Sequence, residues 1–235
     1  MEKKLKSWQG WLLFGGTMVV VFVLGMIAAS VNERHAEVTS VMNNKKTEIT
    51  GIEARNDKFE SNYPREYQTW EATADTSFKS LYNGNQAVDV LEARPEMVIL
   101  WAGYAFSKDY STPRGHMHAI EDMRNTLRVG APMTENEGPQ PATCWTCKSP
   151  DVPRMMQAMG VDNFYKGKWA SLGKEIMNPI GCADCHEPEN MNLHISRPAL
   201  IEAFQRQGKD ITKATQQEMR SLVCAQCHVE YYFKG

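Results

Sequence analysis

Six cysteines fall into three pairs, each with two residues between the partners: Cys144 and Cys147, Cys182 and Cys185, Cys224 and Cys227. Histidine follows two of the pairs directly, in Cys182-Ala-Asp-Cys185-His186 and Cys224-Ala-Gln-Cys227-His228. On a helical turn, positions i, i+3 and i+4 share a face. Two thiols on that face reach the two vinyl groups of one haem, and the next imidazole ligates its iron. Cys-x-x-Cys-His is a haem-attachment signature for that reason. A disulfide within each pair leaves the repeated histidine unexplained. Structural zinc takes four ligands, normally from two such pairs, and three pairs leave one unmatched. Haem c at three sites is the expected cofactor.

The first pair reads Cys144-Trp-Thr-Cys147-Lys148, with lysine where histidine is expected. The plain alternative is a cysteine pair with an unrelated lysine behind it. A lysine amine binds iron only when neutral, and its ordinary pKa is ~10.4, so metal and burial must lower it. Such an amine donates electron density and accepts none back. Simple electron carriers use two histidines or methionine and histidine. Amine ligation suits a haem that binds and transforms a ligand on its open face.

These motifs need elements to hold them. The 235-residue chain has room for a membrane segment and one or two compact domains. Its formal net charge of -2 is too balanced to indicate nucleic acid as a partner. Lys3, Lys4 and Lys6 precede an uncharged stretch from Ser7 to Asn32 with an apolar centre from Trp11 to Ser30. About 20 apolar residues cross a bilayer as a helix, and the lysines should stay cytoplasmic. The rival is a cleaved signal peptide, with Ala28 and Ser30 as a small-residue cleavage site. Either way the rest is exported, which predicts a periplasmic protein at the inner membrane.

The expected organisation is a signal or anchor over 1–31, a polar stalk over 32–65 and a cytochrome domain over 66–235. Trp70 to Tyr110 reads as packed, mostly helical structure. Helices are expected from Ala119 to Val129, stopping at Gly130, and from Ser196 to Gln207, stopping at Gly208. Thr215 and Glu218 form a capping-box pattern opening the helix into the third pair. Glu135 to Thr143 reads as a loop. The predicted fold class is mainly α, with helices and loops wrapped around covalent haems.

The motifs together resemble the catalytic subunit of ammonia-forming, pentahaem cytochrome c nitrite reductase. The resemblance rests on Cys144-Trp-Thr-Cys147-Lys148-Ser-Pro-Asp-Val-Pro-Arg154, on the two histidine motifs, and on His228-Val-Glu230-Tyr231-Tyr232-Phe233. Pro113-Arg114-Gly115-His116 and the run from Arg124 to Pro132 also fit. The resemblance implies Lys148 as proximal ligand of the active haem, and His186 and His228 as proximal ligands of the second and third. It implies His116 as the far ligand of the third haem, and Arg128 and Tyr231 as active-site residues. Glu230 and the Tyr231 carbonyl would hold calcium.

Each assignment has an ordinary alternative. Arg128 could merely offset a helix dipole; His116 could be a surface histidine; Tyr231 could be a core aromatic. Arg124 reads as an ion-pair residue, His118 and His194 as ordinary histidines, and His35 has no assigned role.

The resemblance also implies nitrite as substrate, a homodimer, and a membrane quinol-oxidising multihaem cytochrome as electron donor. It covers the N-terminal portion of the family, so the chain is expected to be part of a longer protein. Two more haem motifs, an active-site histidine and the remaining calcium ligands would follow residue 235. The alternatives are a membrane-anchored electron-transfer cytochrome and another lysine-ligated reductase, acting on tetrathionate or hydroxylamine.

Overall fold

The computed structural model describes residues 7–43, 46–81, 84–129 and 140–229. The chain divides into two units, Met1–Lys46 and Thr47–Gly235.

The first unit is one helix, Ser7–Asn43, of 37 residues. Valines at positions 19, 20, 21 and 23 are indifferent helix formers in water. In lipid the backbone must satisfy its own hydrogen bonds, and a helix does so. The segment is long and apolar enough to cross a membrane. At ~1.5 Å per residue it extends roughly 55 Å, against a hydrocarbon layer of about 30 Å. The surplus lies at the polar end, which carries Glu33, Arg34, His35 and Glu37.

The second unit is mainly helical. Among its described residues, strand pairing is limited to the isolated bridges Asp89–Ser111, Pro141–Lys168 and His186–Leu193. Its apolar core gathers on the first cysteine pair. Trp145 and Trp169 are fully buried and stacked, with centroids 5.5 Å apart and planes 2° from parallel. The Trp145 indole N–H also donates to the Trp169 carbonyl at 2.8 Å. Helix Asp151–Met159 turns Val152, Met155 and Met156 into this core, as spacings of three and four residues dictate. It ends at Gly160, whose φ of +87° suits glycine. Phe164, Ala170 and Ile176 close the cluster. Apolar side chains buried beside the second and third pairs are fewer, chiefly Ile211 and Val223.

The structure corrects the expected stalk. Helix Ser7–Asn43 takes its first part, and from Thr47 the chain belongs to the second unit. Ile49, Asn56, Phe59, Asn62 and Tyr63 are buried. Thr47 and Asn62 bond reciprocally, the Thr47 N–H to Asn62 Oδ1 at 3.0 Å and Asn62 Nδ2 to the Thr47 carbonyl at 2.7 Å. Composition misleads because the asparagines spend their polar groups on backbone rather than on water.

Trp70 to Tyr110 is less regular than expected, with short helices at Val90–Ala93 and Glu96–Leu100. Ile99 and Leu100 stay exposed there. The helix expected over Ala119 to Val129 ends at Asn125; Thr126 is extended, and Leu127–Val129 is a separate 3-10 turn. Gly130 and residues 135–139 lie outside the described residues. The helix expected to begin at Ser196 spans Pro198–Arg206. The Thr215 and Glu218 capping box forms as its pattern predicts and opens helix Gln216–Ala225.

Candidate functional site

In the first segment, the 3-10 turn Ala142–Trp145 carries Cys144, and the Lys148 N–H bonds the Trp145 carbonyl at 2.9 Å. Asp151 follows, buried, and accepts the backbone N–H groups of Met177 and Asn178 at 2.8 and 2.9 Å. Arg154 adds an ion pair to the same carboxylate at 3.1 Å. Asp151 thus ties the first segment to the chain entering the second.

The second segment is the short helix Cys182–Cys185. Its first turn is capped from far away: the Cys182 N–H donates to Asn56 Oδ1 at 2.9 Å, and Asn56 Nδ2 donates to the Pro179 carbonyl at 3.3 Å. The Gly181 N–H donates to Asp184 Oδ2 at 2.8 Å. His186 bonds the Met191 carbonyl through Nδ1 at 2.7 Å. A ring held at Nδ1 presents Nε2 as a free ligand. Met191 adopts a φ of +58°, rare without glycine, to place that carbonyl.

Gly181 has no room for a side chain. A Cβ there would lie 1.8 Å from Asn56 Oδ1. Gly181→Ala should therefore cost about 1–3 kcal/mol through overpacking and loss of the cap. Asn56→Ala should recover part of that cost in the double variant. Denaturant unfolding of the single and double variants measures both.

The third segment ends helix Gln216–Ala225, with the His228 N–H on the Cys224 carbonyl at 2.8 Å. Cys147 acts on the Cys227 thiol and raises its pKa, so the first and third segments lie near each other. Burial pushes the Cys182 thiol up to about 11 and the Cys185 thiol up to about 12, so both are neutral thiols in the folded chain. All six cysteines are free. Among the described residues, no three His, Cys, Asp or Glu side chains cluster as metal ligands.

The second residue between the cysteines is buried in every segment: Thr146, Asp184 and Gln226. All three converge on Ser196 and Arg197. Arg197 is fully buried and paired with Asp184. Its Nε donates to the Thr146 carbonyl, and Nη2 reaches the Ser149 carbonyl at 3.0 Å. Its backbone N–H and that of Ser196 both donate to Gln226 Oε1, at 3.1 and 2.9 Å. Gln226 Nε2 and Ser196 Oγ donate to the Asp184 carbonyl at 2.8 and 2.7 Å. Burial opposes the Arg197 charge, but Asp184 together with the nearby Cys227 and Cys147 outweighs it, and the guanidinium pKa is raised.

Lys148 is half-buried at the end of its segment. Arg128 sits on the Leu127–Val129 turn, which the Asp109 carboxylate holds through the Leu127 N–H at 2.7 Å. Its guanidinium donates to the Asp109 carbonyl at 3.3 Å and lies over Phe106 and Tyr110, 5.5 and 5.4 Å from their centroids. Arg128 thus ends no α-helix, and the dipole reading fails. Lys148 and Arg128 both act electrostatically on the Cys144 thiol, so the two cations share its neighbourhood.

His116 keeps part of its ring in solvent, yet the protein packed around it disfavours the charged imidazole, and its pKa is lowered. His228 and Lys148 act in the same direction, and Asp184 opposes them. Arg114 orients the loop before His116 through Glu121 and Asp122.

His118 bonds Glu121 and the Ala74 carbonyl, and His194 bonds the Ala183 carbonyl at 3.1 Å, ordinary roles for both. Among the described residues Arg124 makes no ion pair and donates instead to the Gly173 and Ile176 carbonyls at 3.2 and 2.9 Å. Glu230 and Tyr231 lie outside the described residues. Sequence reasoning missed Asn56, Asp151 and Arg197. The polar side chains of Asp184 and Gln226 between the cysteines were the available signal for Arg197.

A family model described as Cytochrome c552 matches residues 55–235. The cytochrome c-552 of Bacteroides fragilis is 76% identical over 235 residues, which cover 100% of this chain and 48% of that protein. The cytochrome c-552 of Porphyromonas gingivalis is 72% identical, with 100% and 47% covered. Among solved structures, the catalytic subunit of cytochrome c nitrite reductase from Desulfovibrio desulfuricans ATCC 27774 matches with a TM-score of 0.72 and 31% identity. That match covers 80% of this chain and 42% of the other, a protein described with two calcium sites. The chain spans about half the length of the curated relatives it matches.

Proposed function

Because the chain belongs to the cytochrome c552 family, we propose that it forms the lysine-bearing part of a nitrite reductase that makes ammonium. The observation that supports this reading is lysine in place of histidine after the first of three cysteine pairs, in a chain whose fold matches that of a cytochrome c nitrite reductase. The donor set fits haem: free thiols at the attachment spacing, a histidine after each of two pairs, and His186 held by Nδ1 with Nε2 available. Cys144 with Cys147, Cys182 with Cys185 and Cys224 with Cys227 would each hold one haem c. Lys148, His186 and His228 would be the proximal ligands, and His116 the far ligand of the third.

Haem iron, when bound, supplies the redox chemistry and the coordination position for substrate. The protein supplies charge, orientation and protons. Arg128 attracts the nitrite anion and donates hydrogen bonds to the oxygens that leave as water. Its cation stays fixed because Asp109, Phe106 and Tyr110 hold it. Tyr231 would assist proton delivery, and Glu230 with the Tyr231 carbonyl would hold calcium. The segments ending in His186 and His228 would hold the relay that brings six electrons to one nitrite. The whole protein would work as an exported, periplasmic homodimer at the membrane, fed by a quinol-oxidising multihaem cytochrome. Helix Ser7–Asn43 would be the export signal or the anchor.

The test uses full-length protein from a host that attaches haem c. Given a reduced dye and nitrite, it should release ammonium in step with nitrite consumed, and mass spectrometry should find haem on the Cys144–Cys147 peptide. Electron paramagnetic resonance should show one high-spin or water-ligated haem. Rapid haem reduction without nitrite loss would establish an electron carrier instead. Faster turnover of tetrathionate or hydroxylamine would establish a different reductase.

A further inference from the structure

We propose that Arg197, with Ser196, is a positioning residue that fixes the mutual orientation of the three haem-attachment segments by bonding to all of them at one buried point. The inference rests on haem being the group those segments carry.

On a short turn the second residue between the cysteines faces away from the thiols. In this chain those residues point inward: Thr146, Asp184 and Gln226 are buried; of the cysteines, Cys182 is also buried, four are partly buried and Cys224 is exposed. The three segments meet at Arg197, and the Cys147 and Cys227 thiols lie close enough to act on its charge. Arg197 uses Nε on the Thr146 carbonyl, Nη2 on the Ser149 carbonyl and the Asp184 carboxylate, and Nη1 on Ser196 Oγ at 2.7 Å. Gln226 completes the set through the Ser196 and Arg197 N–H groups.

Charge balance alone would require only one carboxylate. A lysine would satisfy Asp184 but could not span carbonyls on two sides, because its donors radiate from one atom. The arrangement is a bracket as well as an ion pair. Turning any one segment about this point would swing its thiol pair, and the macrocycle on that pair, against the neighbours.

Arg197→Lys in the full-length, haem-loaded protein separates bracket from charge. Haem number, counted by mass, should equal that of the parent. The spin-coupled signals of neighbouring haems and the haem midpoint potentials should shift. Nitrite kcat should fall about 10–100-fold, the range for removing an outer-shell support, with little change in KM. Parental spectra, potentials and kcat, accompanied only by a lower Tm, would overturn the proposal.

If Arg197→Lys loses haem, Gln226→Met gives the same readouts, because it releases only the third segment and leaves the ion pair intact. A haem-replete Gln226→Met protein with parental coupling also overturns the proposal. Absence of haem from the parent overturns the haem reading, and this inference with it.

Discussion

Lys148→His in the full-length protein should keep haem on Cys144 and Cys147 while nitrite turnover falls by about 10–100-fold. Attachment depends on the thiols and their spacing, which the 3-10 turn Ala142–Trp145 and the Lys148 N–H bond to the Trp145 carbonyl hold without the lysine side chain. The change therefore tests the ligand and not the scaffold. An amine donates through its lone pair alone, whereas an imidazole also exchanges density with the iron through its ring. Histidine would recreate the Cys-x-x-Cys-His arrangement of the other two segments, and with it an iron tuned for passing electrons. Ammonium formation measures the loss, and mass spectrometry confirms the haem. Undiminished turnover would deny the lysine any special role.

Asp184→Ala should destabilise the second unit by about 3–5 kcal/mol, the cost of leaving a buried cation without its carboxylate. The side-chain exposures of Arg197 and Asp184 are 0% and 2%, so water cannot take over from the lost anion. The variant also removes the acceptor of the Gly181 N–H, loosening the turn that starts the second segment. A small domain has only about 5–15 kcal/mol in hand, so partial unfolding near ambient temperature is the expected result. Adding Arg197→Met removes the stranded charge and should restore part of the loss. Restoration should be incomplete, because the Thr146 and Ser149 carbonyls lose their buried donor. Urea titration of the single and double variants reads both effects. Full recovery would mean that Arg197 matters only as the partner of Asp184.

The local parts of this architecture were legible in the sequence. Cysteine spacing, the histidines after two pairs, the lysine after the first and the Thr215 capping box are all patterns within a few residues. The apolar run at the N-terminus reads equally well as a helix, because the pattern is continuous and local, long and apolar enough to cross a membrane. Contacts across the chain were not legible. Asn56 caps a turn 126 residues later, and nothing in its neighbourhood distinguishes it from a solvated asparagine. The same ambiguity misassigned residues 47–65 to a stalk. Arg124 is an arginine in a helical pattern with acidic neighbours, which suggests an ion pair; only folding brings the Gly173 and Ile176 carbonyls to it. Arg128 looked like the end of a helix until Thr126 broke the helix before it.

The order in which the chain is made gives the buried arginine one more consequence. When Arg197 leaves the ribosome, Thr146, Ser149 and Asp184 have already been synthesised, but Gln226 has not. The centre therefore cannot close fully until almost thirty further residues have followed, and Gln226 is the second residue inside the third cysteine pair. Until then Arg197 can join the first two segments through Thr146, Ser149 and Asp184, while the third has no place in the centre. Closure waits for the third pair to appear, so the order of synthesis sets the order of assembly.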